Sequence, residues 1–211
     1  MNGGLIFDLL KPKQTIADLG SGMNPSHWWP SVKPESTIDA FDLNFTIEPK
    51  DDGRFFFLQD VTKMKGIEGF EKKYDLLVAD HIFEHVENME GMIESIDWIA
   101  KPGCVLHVGI PVANNFTDTF YRLIHRHDSG GHLQRFVYED PIKMLDKIGF
   151  KLVKSEIWED DWVWLEKCFS LEHNNVKNVT QDEIQYLVDT FRKELTSEKG
   201  YLYGYEYIFQ R

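Results

Sequence analysis

Apolar runs of strand length recur along this chain, separated by polar stretches that carry turn residues. Thr15-Ile16-Ala17, Thr37 to Leu43, Arg54 to Leu58, Tyr74 to Ala79, Val105 to Ile110 and Phe150 to Trp158 are short and nearly continuous, the pattern expected of strands buried on both faces. Tyr201 to Phe209 reads as a seventh, aromatic strand. Between the fourth and fifth runs, Met89, Met92, Ile93, Ile96 and Ile99 recur at helical spacing, and Lys101-Pro102-Gly103 stops that helix. Asp140 and Pro141 suit the N-cap and first turn of a helix over Ile142 to Ile148, which Gly149 ends. Thr180 and Glu183 form a capping box ahead of Ile184, Leu187, Val188, Phe191 and Leu195, one apolar face. Leu5 to Leu10 predicts a short helix or strap. The rhythm as a whole predicts a doubly wound, mainly parallel sheet with helices on both faces.

Some stretches break the rhythm. Met23 to Pro30 is poor in helix formers and rich in aromatics, so the first crossover is expected to be irregular. Val112 to Gln134 loses periodicity and gathers His125, His127, Asp128, Gly130, Gly131 and His132, which predicts a substrate-facing loop or lid. Trp158 to Trp164 mixes acids with tryptophans and is read as core cover in preference to a pocket wall.

The first strand carries the candidate chemistry. It reaches Asp18 and breaks into Gly20-Ser21-Gly22, as a buried parallel strand does when its turn presents backbone N–H groups to a ligand. Glycine permits positive φ and close approach of a cofactor, while Asp18 can face an ammonium group or order the loop. Asp42 ends the second strand 24 positions beyond Asp18. Nucleotide-binding βαβ units place a ribose-binding carboxylate at an interval of roughly 20 residues. Acids also follow the third and fourth strands, in Gln59-Asp60-Val61 and Asp80-His81.

Composition narrows the options. The 211 residues, 42% hydrophobic and 14% aromatic, suffice for one well-buried core, so residues 1–211 read as a single domain. A formal net charge of -12 argues against a nucleic-acid partner, because phosphate binding needs a basic surface. Cys104 and Cys168 match neither zinc nor redox spacing and read as reduced thiols. The amino terminus lacks the basic start of a signal peptide, and no apolar run reaches membrane-spanning length. A cytoplasmic protein without a membrane partner is the expectation.

With the strand-end acids placed, the chain resembles the class I S-adenosylmethionine-dependent methyltransferases over essentially its whole length. Asp18-Leu19-Gly20-Ser21-Gly22 is similar to the family's first motif, Asp42 to its ribose-binding acid, and Gln59-Asp60-Val61 to the segment whose acid meets the adenine amino group. Tyr74 to Val78 followed by Ile82-Phe83-Glu84-His85-Val86 resembles the "FDLV…LEHV" signature, and Ile99 to Gly103 the "LKPGG" helix end. His132 to Phe136, then Lys147 to Phe150, resemble the "HLRHF…AGF" run. The resemblance implies a seven-stranded sheet whose last strand inserts antiparallel, S-adenosyl-L-methionine as cofactor and a small-molecule acceptor. It further implies cofactor contacts from Asp18, Gly20, Ser21, Gly22, Asp42, Leu43, Asp60, Val61, Asp80 and His81. Asn24 and Pro25 depart from the family pattern, as does Cys104 after Gly103; Pro25 also excludes the G-x-G-x-x-G of nicotinamide dehydrogenases.

Methylation of an alcohol needs a base near neutrality, and imidazole supplies one. His132 is the first candidate and His85 the second, whereas His107, inside an apolar strand, reads as a core residue. His81-Ile82-Phe83-Glu84-His85 also spells the inverted zinc-protease signature, but its position directly after a strand argues against that assignment. Quinone-biosynthesis O-methyltransferases that resemble this chain bind a divalent metal in this segment, with glutamate where His81 stands. No metal is therefore expected.

Overall fold

The computed structural model describes residues 4–22, 26–43, 53–124, 131–160, 179–192 and 201–211. A short helix α1 (Gly4–Leu9) precedes strands β1 (Thr15–Leu19), β2 (Thr37–Asp42), β3 (Arg54–Leu58) and β4 (Tyr74–Asp80). There follow α2 (Met89–Ile99), β5 (Ala100–Pro111), α3 (Phe116–Ile124), α4 (Glu139–Asp146), β6 (Lys151–Asp160), α5 (Gln181–Thr190) and β7 (Tyr201–Gln210). The strands form one sheet in the order β3-β2-β1-β4-β5-β7-β6. Pairings from β3 through β5 are parallel, and β7 runs antiparallel to both of its neighbours, as the resemblance implied.

Both faces of the central strands are buried, which explains their continuous apolar runs. On one face Leu77, Ala79, Leu106 and Val108 pack with Met92, Ile96 and Ile99 of α2 and Leu145 of α4. On the other, Ile16, Ile38, Leu76 and Val78 meet Ile6 of α1 and the indoles of Trp28 and Trp29. Those tryptophans take the place of a regular crossover helix over residues 26–36, where a single 3-10 turn, Trp29–Ser31, is the only helical segment. The irregular first crossover is thus a packed feature.

Several boundaries differ from the sequence expectation. Strand β5 begins at Ala100, so Lys101-Pro102-Gly103 lies within it as an irregularity: β4 residues Tyr74 and Leu76 face Ala100 and Val105. Helix α4 opens at Glu139 and contains Asp140, whose carboxylate accepts the Val137 N–H from within the first turn. The stretch Val112 to Gln134, read as loop, contains α3. Its start is marked by Asn115, whose side chain accepts the Asp118 N–H at 2.7 Å, and by Asp118, which accepts the Asn114 N–H in return. His125, His127, Asp128, Gly130, Cys168 and the 161–164 part of the tryptophan segment lie outside the described residues. The capping box of Thr180 and Glu183 forms as expected. Among the described residues no helix is long and apolar enough to cross a membrane.

Candidate functional site

The chain leaves β1 toward β2 and β3 on one side, and β4 and β5 lie on the other, so strand order reverses between β1 and β4. In open α/β sheets the crevice outside the carboxyl ends at such a point is where ligands sit. Here a cavity of about 540 Å³ opens there, within the size range of small-molecule sites. Gly20, Asp42, Leu43, Asp60, Val61 and His85 all line it. Asp18, Ser21, Gly22, Asp80, His81 and His132 are not among its lining residues. Gln59, Ile82 and Leu133, which the sequence reading placed in motifs but not in the site, and Asn88, which it did not name, also line it.

The glycine turn is built differently from the expectation that it presents its amides. Gly20 and Ser21 donate their N–H groups to the Phe41 carbonyl at 2.8 and 3.2 Å, and Gly22 donates to Asp42 Oδ2 at 2.9 Å. Those donors hold the turn against the end of β2. What the turn supplies is room. Gly20 has φ +72, and a Cβ there would meet Ile82 at 2.5 Å; Gly22 has φ +75 and nothing within 4 Å of the corresponding position.

Asp18 is buried and accepts hydrogen bonds from the Ser26 hydroxyl at 2.6 Å and the Trp29 indole N–H at 2.7 Å. It therefore orders the irregular crossover. Burial pushes its carboxyl up from 3.8 to about 7; these two donors oppose the rise, and the charges of Asp80 and Asp42 add to it. Asp80 Oδ1 and Ser21 Oγ are buried without a hydrogen-bond partner among the described residues. Asp60, by contrast, caps the one-turn helix Val61–Lys63: it accepts from the Thr62 N–H and hydroxyl and pairs with Lys63 at 2.8 Å. Burial opposes ionisation of Asp60, but those partners hold its pKa below the usual value.

Behind the cavity lies a polar cluster. Glu84, 1% exposed, accepts from His81 Nδ1 at 3.0 Å. Burial alone would lower the His81 pKa, yet the hydrogen bond and charge of Glu84 outweigh it and raise the ring to about 9, so His81 is an imidazolium at neutral pH. Burial opposes ionisation of Glu84 in turn, but the His81 hydrogen bond and charge keep its pKa low. Burial also pushes His85 below its ordinary value, leaving a neutral ring. His85 Nδ1 lies 3.3 Å from the Gly131 carbonyl, and its ring packs edge-on to His132 with centroids 5.1 Å apart. His132 Nδ1 lies 2.6 Å from Asp118 Oδ1. Burial works against ionised Asp118, but His132, the Asn114 N–H and Arg122 keep its pKa low.

Two motifs far apart in sequence are joined here. Leu133 and Gln134 donate to the Glu84 carbonyl at 2.6 and 2.9 Å, and the Gln134 side chain donates to Val86 O. Arg122 of α3 holds Asp118 with its Nε and reaches the carbonyls of His132 and Gln134 with its Nη atoms. Asp118 and Arg122 were missed because their segment looked aperiodic; the Asn115-x-x-Asp118 cap was the available signal. His107 is a core residue, 2.6 Å from buried Glu206 across β5 and β7.

No protein-family model matches the sequence, and no curated protein does. Solved structures match nearly end to end. A Bacillus halodurans protein assigned as a methyltransferase is 19% identical with TM-score 0.63, over 98% of this chain and 94% of that one. A Burkholderia thailandensis 1,6-didemethyltoxoflavin-N1-methyltransferase, solved with S-adenosylhomocysteine, is 12% identical with TM-score 0.57, over 99% and 76%. The [4+2]-cyclase SpnF is 13% identical with TM-score 0.67, over 98% and 80%. The chain has the class I S-adenosylmethionine-dependent methyltransferase fold.

Proposed function

We propose that the protein is an S-adenosylmethionine-dependent methyltransferase that acts on a hydroxyl of a small metabolite such as a sugar. The observation that carries the reading is the cavity at the strand-order reversal, where residues from the separate strand-end motifs meet. S-adenosylmethionine supplies a methyl group on a positively charged sulfur. The buried Asp18 carboxyl and the half-buried Asp80 carboxyl suit a cationic ligand, and the orphaned Ser21 Oγ and Asp80 Oδ1 are polar atoms that a ligand can satisfy.

Asp42, at the cavity wall, receives the ribose hydroxyls while its Oδ2 holds the Gly22 N–H. Asp60, whose carboxylate also caps its own turn, and Val61 frame the adenine, with Leu43 at the same cavity wall. The acceptor oxygen attacks the methyl carbon, the carbon–sulfur bonding pair stays on sulfur, and the hydroxyl proton passes to a base. Of the two candidate histidines, His85 lines the cavity and carries a neutral ring, so it takes that proton. His132, fixed by Asp118, backs His85 as a positioning residue.

A second reading, favoured by the likeness to the [4+2]-cyclase SpnF, is a protein that binds the cofactor without transferring methyl. Incubation with methyl-labelled S-adenosylmethionine and a panel of hydroxylated acceptors, sugars first, separates the two. Label transfer with equimolar S-adenosylhomocysteine is expected. Cofactor binding with no transfer to any acceptor supports the second reading, and absence of binding overturns both.

A further inference from the structure

We infer that the outer edge of β6 is the contact through which two copies of this chain pair, antiparallel about a two-fold axis at Ser155, so that their sheets join into one. The sheet order ends at β6, and the side of this strand away from β7 offers a row of backbone N–H and C=O groups. It is a long edge, Lys151–Asp160, and its sequence holds no proline. Val153 and Ile157 are each 62% exposed on it. The inference concerns assembly and stands independently of methyl transfer.

The sequence of the strand sets the register. A two-fold axis normal to the sheet keeps each face on its own side, so two identical antiparallel strands must place one residue opposite its own copy. Charge decides which residue that is. Centring on Lys154 opposes two lysines and centring on Glu156 opposes two glutamates, and like charges directly opposite destabilise a sheet. Centring on Ser155 sets Lys154 against Glu156 of the second copy, twice by symmetry. The same register carries Val153 to Ile157 of the second copy, so the exposed apolar groups cover each other. Within one chain Lys154 and Glu156 already pair at 2.7 Å, both about half exposed. In the dimer each charge lies between two opposite ones.

Lysines and bulges on an edge ordinarily discourage pairing. Here Glu156 neutralises Lys154, and the irregularities are confined. Pairing with β7 shifts between Leu152 and Lys154 and again between Trp158 and Glu159, and it is regular from Lys154 to Trp158. The net charge of -12 repels a second copy at a distance, so association needs opposite charges matched at the contact, which the Lys154 and Glu156 arrangement provides. The other edge strand, β3, also exposes apolar groups, Phe55 and Leu58. It is half as long, and its cation, Arg54, lies over the Trp29 ring.

Sedimentation equilibrium of the full chain tests the contact. The wild type is expected to dimerise in the micromolar range, because a single strand-to-strand contact is a small interface. Lys154→Glu and Glu156→Lys each oppose like charges at both symmetric positions and should weaken the dimer about ten- to thirty-fold. An equimolar mixture of those two variants restores both opposed pairs and should dimerise as the wild type does. Ile157→Lys should leave a monomer. All three positions are exposed, so far-UV circular dichroism should show folded chains throughout. A wild type that stays monomeric at submillimolar concentration overturns the proposal. So does a dimer indifferent to these substitutions, which would place the interface on another surface such as the β3 edge. Weakened single variants that fail to recover on mixing overturn the axis at Ser155.

Discussion

The two edges of the central sheet treat their carboxylates in opposite ways. Near the amino-terminal edge, buried Asp39 accepts from Lys73 at 2.6 Å and from the Tyr74 hydroxyl at 2.7 Å, while Asp75 takes Lys101 at 2.8 Å and the Thr15 N–H. Each of these acids has a lysine. At the carboxyl-terminal edge Asp18 has only neutral donors and Asp80 Oδ1 has no hydrogen-bond partner among the described residues; burial raises the Asp18 pKa, and the charges of Asp80 and Asp42 add to the rise. An edge built for stability pairs its charges. At the opposite edge Asp60 has Lys63, but Asp18 and Asp80, behind the lining of the cavity, are left without a lysine among the described residues, which costs stability and suits a cation.

The largest test of that contrast is Asp18→Asn. The carboxyl ionises at 3.8 in ordinary surroundings and at about 7 in the fold. Between those values the native state keeps a proton that the unfolded chain has lost. The contribution to stability is therefore full below about pH 4 and drains away as pH rises through 7, by up to about 4 kcal/mol. Asparagine keeps an acceptor for Ser26 and Trp29 and carries no charge. Urea titrations at pH 5 and pH 8 should show the variant gaining on the wild type by several kcal/mol at the higher pH. A constant difference would place the charge cost elsewhere. The variant should also bind cationic S-adenosylmethionine less well, with a smaller loss for S-adenosylhomocysteine, which lacks the sulfonium.

Next in size is Asp42→Ala, which removes the proposed ribose contact and the Gly22 anchor together. Loss of charge-assisted hydrogen bonds worth roughly 1.5 to 3 kcal/mol predicts cofactor affinity about ten- to a hundred-fold weaker. Calorimetry checks this, and an unchanged affinity removes Asp42 from the binding site.

Much of this contrast was legible in the chain because strand ends announce themselves. An apolar run followed at once by Asp18-Leu19-Gly20, or by Asp80 and His81, marks where a buried strand meets solvent, and Asp42 and Asp60 follow the same grammar. The turn's internal wiring was not legible. Whether Gly20 and Ser21 donate to a ligand or to the Phe41 carbonyl depends on how closely β2 approaches, a tertiary fact. Helix α3 escaped notice for a related reason: its polar side is made of Asp118 and Arg122, which face the His132 segment and so do not read as a solvent-facing stripe. The contact between the two candidate histidines was hidden because His132 lies 47 positions after His85, and only folding sets their rings 5.1 Å apart.

The smallest predicted effect is the control on the paired edge. Lys101 and Asp75 are both more than a third exposed on their side chains. Water already screens their attraction, so the pair contributes little despite its short distance. Lys101→Ala leaves Asp75 with the Thr15 N–H and with solvent, and it should cost less than about 1 kcal/mol in urea unfolding. Because the substitution sits at the far end of β5 from the cavity, cofactor affinity should not move. A cost of several kcal/mol would mean that the amino-terminal edge depends on its ion pairs for folding. An altered affinity would mean that charge at one edge is felt at the other. Either result would dissolve the separation between a paired edge that stabilises and a crowded edge that binds.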